Sequence, residues 1–402
     1  MKNKNKVVLI ILFFSILIMT FSYEEQKSKW SGRIEKVNGI KIIMNPNEPL
    51  YGETIFDLEE DLVIGNEENE NYMFCGIIDL DVDRKENIFI LDIDNCRIQK
   101  FDRDGNFLQT IGKKGEGLAE FKRPWNIYLN SEDEIYVGEH REIHIFSAKG
   151  EFIKTIKLSE DISLFGGTEE TNFFVRTSSS TSEGPTNDIA LFSSKGQRIR
   201  TVASFPSEKS VAIPVIEPSF SYYYTPRLCF CSLNDNLGVY GYPSEYRLFT
   251  FNSSGNFVSV IEKDETVEPF TDKEKGHQID FIMKTIGMLS PASKVSRGEV
   301  EKAFEFPKHK PFYEWILNDD RGRFYVFKYN LPFFEEQTAV CDLFSKEGYY
   351  LYKVKMLKYP RLIKDGHAYK SYIYKSSRHQ NKEFTRIKRY KIKNWMQIKE
   401  GI

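Results

Sequence analysis

The chain has 402 residues and a formal net charge of −2, with 41% hydrophobic and 28% charged side chains. That balance supplies an ordinary packed core and gives no global attraction to nucleic acid. Aromatics are abundant at 32 Phe, 22 Tyr and 4 Trp, and large flat side chains suit half-buried pleated surfaces.

Lys2, Lys4 and Lys6 precede the apolar run Val7–Phe14, which continues through Ile16–Met19 to the small residues around Thr20 and Ser22. This pattern predicts a secretory signal peptide over residues 1–22 and an extracytoplasmic, periplasmic or secreted, location. The other reading is an uncleaved membrane anchor, because the stretch is just short of a membrane span. The first cysteine is Cys75, so a lipid-modified N-terminal cysteine is excluded. Residues 23–50 read as a flanking segment, and Glu53–Ile64 (ETIFDLEEDLVI) as an isolated strand-like run.

From residue 75 onward short strand-like runs dominate. A phrase recurs: FDRDGNFLQTI at Phe101, FSAKGEFIKTI at Phe146, FSSKGQRIRTV at Phe192, FNSSGNFVSVI at Phe251 and FSKEGYYLYKV at Phe344. Each copy is an aromatic residue, a polar turn with glycine and a second strand, which is a β-hairpin. The first three copies step by 45 and 46 residues, the period of a β-propeller blade. Complete sheets are expected at about 75–111, 123–158, 165–203, 217–262 and 310–355.

The long interval before the last copy holds a helical insertion at about 270–306. Thr271 stands before Asp272 and Glu274, and Ile279, Ile282, Met283 and Ile286 follow at helical spacing. Ser296–Phe304 reads as a second, shorter helix. A last partial sheet is expected from Pro360–Ile363, His367–Lys375 and Glu383–Lys391. Its missing strand is assigned to Glu53–Ile64, since joining first and last strands closes a ring and removes exposed edges. The fold class is therefore all-β: a six-bladed β-propeller of four-stranded antiparallel blades over residues 51–395, closed by an N-terminal strand, with residues 396–402 as a tail. Seven blades follow if the region before Tyr51 contributes more than a flanking strand pair.

Ile88–Asp92, Asn95, Arg97–Asp102 and Gly105, followed by Ile111-Gly112 through Gly117, Glu120-Phe121 and Arg123-Pro124, resemble NHL repeats. The chain as a whole is similar to exported bacterial six-bladed β-propellers related to NHL domains. The resemblance is strong over 75–158, weak to 262 and architectural beyond. Its relatives include binding modules and enzymes, so fold alone does not choose a function. Asp92, Asn95 and Arg97 read as turn and inter-strand ties.

Five cysteines read as small buried apolar residues, and their spacing fits no zinc site. No nucleophile elbow, phosphate loop or paired zinc motif is present. Gly112, Gly115 and Gly117 read as turn residues, and Asp79, Asp81 and Asp83 as a solvated strand end. Candidate ligand-binding residues sit at inner-strand entries: Arg123 with Trp125, Tyr222, Tyr223 and Tyr224 with Arg227, and His309 with Tyr313 and Trp315. Aromatic and cationic groups at a channel mouth hold anionic or carbohydrate-like ligands by stacking and charged hydrogen bonds.

The function expected from sequence is an exported, non-catalytic binding module that engages a protein or carbohydrate ligand at the channel mouth and inter-blade loops. No catalytic residue, metal or cofactor is assigned, no nucleic-acid partner is expected, and the membrane is a partner only if the N-terminal helix is uncleaved. The alternative, ranked second, is a lactonase-like hydrolase or lyase with a metal in the central channel.

Overall fold

Each recurring phrase folds as the outer hairpin of a four-stranded meander. The residue after its aromatic, Asp102, Ser147, Ser193, Asn252 or Ser345, accepts backbone N–H groups two and four residues further on. The glycine that ends each turn has φ between +74° and +95°, a conformation glycine adopts without a side-chain clash.

The computed structural model describes residues 30–75, 77–167, 172–207, 210–213, 216–221, 226–234, 237–289, 294–304, 306, 308–329, 338–357, 367–369, 372–378 and 385–401. The predicted signal segment lies outside them. Among the described residues no helix is long and apolar enough to cross a membrane.

Six blades follow in chain order, spanning 77–111, 126–157, 162–206, 229–263, 313–356 and 367–392. Their innermost strands lie beside one another in sequence, and the sixth returns to the first. The core sits between blades. Phe89, Leu91 and Ile98 of blade one pack on Ile127, Ile135 and Val137 of blade two, with Phe121 of the link wedged among them. Similar layers join blades two to three and three to four.

The blades are not uniform. Blades one, two, three and six have four strands, blade five has five and blade four has six, and two small two-stranded sheets lie outside the blades. The extra strands come from one N-terminal stretch that passes three blades in turn. Arg33–Val37 and Ile40–Asn45 form a hairpin whose second strand pairs in parallel with Phe257–Lys263, the outer strand of blade four. Glu53–Phe56 pairs in parallel with Tyr350–Met356 of blade five. Leu58–Ile64 then pairs antiparallel with Thr385–Ile392 and completes blade six.

Ring closure by the 53–64 run is thus present, with a correction: the run divides at Asp57 and serves two blades. The region before Tyr51 thickens blade four and adds no seventh blade. In blade six, His367–Lys375 is two strands, His367–Tyr369 and Tyr372–Arg378, and the first of these is innermost. Residues 360–363 lie outside the described residues.

The insertion between blades four and five is helical as expected. Asp272–Leu289 opens on a reciprocal cap, Thr271 Oγ1 accepting from Glu274 N while the Glu274 carboxylate accepts from Thr271 N. Arg297–Ala303 is capped in the same way by Ser296 and Glu299. Ile279, Ile282 and Ile286 pack on Val300 and Phe304.

Candidate functional site

The meander decides which residues share a face. The recurring hairpins all emerge on one side of the disc. The links between blades, and the turns between second and third strands, emerge on the other, here termed the crossover face. Arg123, Trp125, Arg227, His309 and the start of the strand at Tyr313 all belong to crossover links. Tyr222, Tyr223 and Tyr224 fall in the same kind of link but lie outside the described residues.

These residues form two groups. Arg123 is exposed and its backbone N–H is held by the Glu139 carboxylate. Trp125 is half-buried at the junction of blades two and three, edge-on to His140 at 4.9 Å, and its buried indole N–H has no hydrogen-bond partner. The second group lies at blades four and five. Arg227 is half-buried, and its carbonyl accepts from Cys229 Sγ at 3.3 Å. His309 packs on Phe312 and Trp315 on Phe327. Tyr313 is fully buried, its hydroxyl donating to the Arg247 carbonyl at 3.2 Å.

Polar side chains under the crossover face tie links to blades. Asp92 is buried and accepts from Asn95 Nδ2 at 2.7 Å and Arg97 Nε at 3.3 Å, while Arg97 Nη2 donates to the Glu70 and Met73 carbonyls of the preceding link. One blade on, Glu139 lies 3.3 Å from His144 Nε2, and His144 Nδ1 lies 3.0 Å from Thr155 Oγ1. Burial opposes ionisation of Glu139, but the His144 contact and backbone N–H groups outweigh it and lower its pKa. The linker glycines are structural as well. A Cβ on Gly112, at φ +73°, would meet Phe121 at 2.2 Å.

Asp79 and Asp81 are not a solvated strand end. Asp79 Oδ2 accepts from Asn126 Nδ2 at 2.8 Å and Ile127 N at 3.0 Å, and Asp81 Oδ2 from Leu129 N at 2.8 Å. They stitch the innermost strand of blade one to that of blade two. Burial pushes the Asp81 carboxyl up to about 7, against the pull of its two backbone donors. The sequence signal for this role is the alternation in IIDLDV: with Leu80 and Val82 packed in one core layer, Asp79 and Asp81 must face the neighbouring blade.

Sequence reasoning missed a buried ionic cluster between blades four and five. Lys263 Nζ lies 2.6 Å from Glu265 Oε2 and 3.5 Å from Asp342 Oδ2. Lys328 Nζ lies 3.2 Å from Asp342 Oδ2 and also contacts Glu265. Tyr246 and Tyr350 hydroxyls donate to the two Asp342 oxygens at 2.5 and 2.7 Å. Burial lowers the Lys263 pKa, with Asp342 and Glu265 opposing. Among the described residues, no group of three or more His, Cys, Asp or Glu side chains is placed to hold a metal ion.

The DUF5128 family model, described as a 6-bladed beta-propeller, matches residues 69–240. No curated protein sequence matches the chain. A Bacteroides fragilis protein named as exported is 12% identical, with 88% of this chain and 99% of that chain covered and a TM-score of 0.50. A DUF4221 family member from Bacteroides vulgatus is 11% identical, with 84% and 98% covered and a TM-score of 0.51. Virginiamycin B lyase from Staphylococcus aureus is 11% identical, with 83% and 99% covered and a TM-score of 0.40.

The fold is a six-bladed β-propeller with a small helical insertion. The presence of lyases among the similar solved structures corrects the ranking of an enzyme below a binding module. The architecture does not count against catalysis.

Proposed function

We propose that the chain is an exported propeller that recognises a protein or carbohydrate ligand on its crossover face. One observation carries this: a lengthened hairpin, an extra link hairpin and the helical insertion all emerge on that face, around blades three to five. Strands Phe173–Thr181 and Gly184–Phe192 of blade three run nine residues each, against five in the matching strands of blade one, so their hairpin projects. The next link forms a hairpin of its own, Ser210–Ile213 with Ile216–Ser221, and the helix Arg297–Ala303 lies beside it. The result is a wall along one side of the channel mouth.

The wall has the chemistry of a recognition surface. Ser178, Ser179, Thr181 and Thr186 line the projecting hairpin, and Phe205 stacks on Tyr242 at 5.0 Å beside it, both half-buried. Aromatic faces next to hydroxyl and amide groups suit a ligand with apolar patches and many hydroxyls. Rigid blades behind an irregular rim supply preorganisation. Arg123, Trp125, Arg227 and His309 belong to the same face. Export is supported by the basic-then-apolar residues 2–19, and N-terminal sequencing of the mature protein tests it. The NHL kinship of blades one and two is supported by the Asp92–Arg97 tie and the Gly112–Phe121 link.

Glycan and peptide arrays probed with the wild-type protein test the reading. Arg123→Glu and Arg227→Glu are expected to abolish the signals found, while Lys149→Glu and Lys195→Glu, in hairpins of the opposite face, retain them. The reverse pattern overturns it.

A second reading is a propeller hydrolase or lyase. The observation that favours it is Asp81, a carboxyl on an innermost strand that burial raises to about 7. Bound Ca²⁺ or Zn²⁺ in elemental analysis of the purified protein, with a melting temperature lowered by chelator, supports a metal-dependent form of it.

A further inference from the structure

The cluster at blades four and five is built asymmetrically. Five of its members belong to the blades. Lys263 ends the strand Phe257–Lys263, and Lys328 ends Phe324–Lys328. Asp342 lies within Ala339–Phe344, Tyr350 opens Tyr350–Met356, and Tyr246 immediately precedes Arg247–Asn252. Glu265 alone comes from the irregular segment that leaves blade four for the helical insertion.

The five blade residues are already organised without it. Asp342 is fully buried and held by both tyrosine hydroxyls. Lys263 lies over the Tyr246 and Tyr350 rings at 5.0 and 4.8 Å, and Lys328 over Tyr246 at 4.7 Å. Two ammonium groups share one internal carboxylate, which leaves one positive charge to answer. Glu265 answers it, and the site is not sealed: the Glu265 and Lys328 side chains keep 19% and 20% of their exposure, while Lys263 keeps 2%.

We propose that the Lys263–Lys328 pair is a carboxylate-binding site, occupied in this structure by the chain's own Glu265. A carboxylate-bearing ligand takes the site by displacing Glu265, and with it the segment that leads into the helices. This rests on ligand binding at the crossover face and names the ligand chemistry: an acidic sugar or an acidic peptide side chain. The charge count drives the exchange. With Glu265 withdrawn, the two lysines and Asp342 leave a net positive, largely desolvated pocket, in which an anion is held far more strongly than at an exposed surface.

Chemical rescue tests the site without knowledge of the natural ligand. Glu265→Ala is expected to lower the melting temperature. Sodium acetate is then expected to restore roughly half of the loss or more, with a saturating dose response, where sodium chloride of equal ionic strength does not. If Glu265→Ala fails to fold, Glu265→Ser takes its place in the same titration, since it leaves the same uncompensated charge and a side chain short enough to leave room for acetate. Adding Lys328→Met should abolish the rescue. Acetate and chloride acting alike overturns the proposal and leaves the cluster as a structural tie. The outcome is independent of the arrays: rescue with no array signal on the crossover face leaves the carboxylate site standing and removes its proposed role.

Discussion

Arg389 grips Asp61 with two parallel hydrogen bonds, Nε to Oδ1 at 3.1 Å and Nη2 to Oδ2 at 3.0 Å, across the strand pair that closes the ring. The two residues are 328 positions apart in sequence. The guanidinium also donates to the Arg103 carbonyl at 2.6 Å and lies over the Tyr372 ring at 4.6 Å, so blades six and one meet on it. Arg389→Ala leaves the exposed Asp61 carboxylate to water but removes a largely buried guanidinium and its hydrogen bonds, and should cost about 2 kcal/mol in urea unfolding. Arg389→Lys should recover little, because an ammonium cannot reproduce the paired geometry. Near-wild-type stability of the alanine variant refutes the clasp.

Asp81 gives a pH signature. Its carboxyl titrates at about 7 in the folded chain, against an ordinary value of 3.8. A raised folded value favours the folded state most below 3.8, and that contribution is lost as pH rises through 7. Wild-type stability relative to Asp81→Asn should therefore fall across pH 4 to 7, by on the order of 4 kcal/mol. Parallel denaturation curves at pH 4 and pH 8 measure it, and an equal difference at both pH values rules the titration out.

Gly196 and Gly184 form a matched contrast. Both have positive φ, +78° and +126°. A Cβ on Gly196 would lie 1.8 Å from the Lys157 carbonyl oxygen of the neighbouring blade, whereas Gly184 has nothing within 4 Å. Gly196→Ala should destabilise by about 3 kcal/mol or more, and Gly184→Ala by about 1 kcal/mol from backbone strain alone. Thermal melts of the two variants decide it.

Asn45 tests the N-terminal strands. Its Nδ2 donates to the Gly348 carbonyl at 2.9 Å and the Glu262 carbonyl at 3.2 Å, and its Oδ1 accepts from Tyr350 N at 2.8 Å. One buried amide thus spans blades four and five. Asn45→Ala should cost about 2–3 kcal/mol, since it leaves three backbone groups to find other partners. Amide hydrogen exchange at Tyr350 should accelerate in the same variant, and an unchanged rate there argues against the bridge.

The blades were legible because their signals are local. The turn residues Asp102, Ser147, Ser193, Asn252 and Ser345 and their glycines act within five residues, and Thr271 and Ser296 announce the helices in the same way. The path of residues 33–64 was not legible. Parallel pairing of Ile40–Asn45 and Glu53–Phe56 depends on strands more than 200 residues away, and no local pattern encodes such a partner. The division at Asp57 hid inside one continuous strand-like run. The ionic cluster left a faint trace, a lone Asp342 inside the apolar AVCDLF and a Lys328 closing FYVFK. Its meaning needed the neighbouring blade, since Lys263 and Glu265 come from another part of the chain.

The pairing of Ile64 with Ile387 imposes an order on biogenesis. A chain emerging vectorially presents residues 58–64 long before their partner strand exists, so that stretch waits unpaired while five blades assemble. Non-local pairing of this kind is slow and leaves strand edges bare in the interval. A product interrupted before residue 385 would carry the apolar face of Leu62 and Ile64 uncovered, which makes incomplete translation self-reporting to proteases and chaperones.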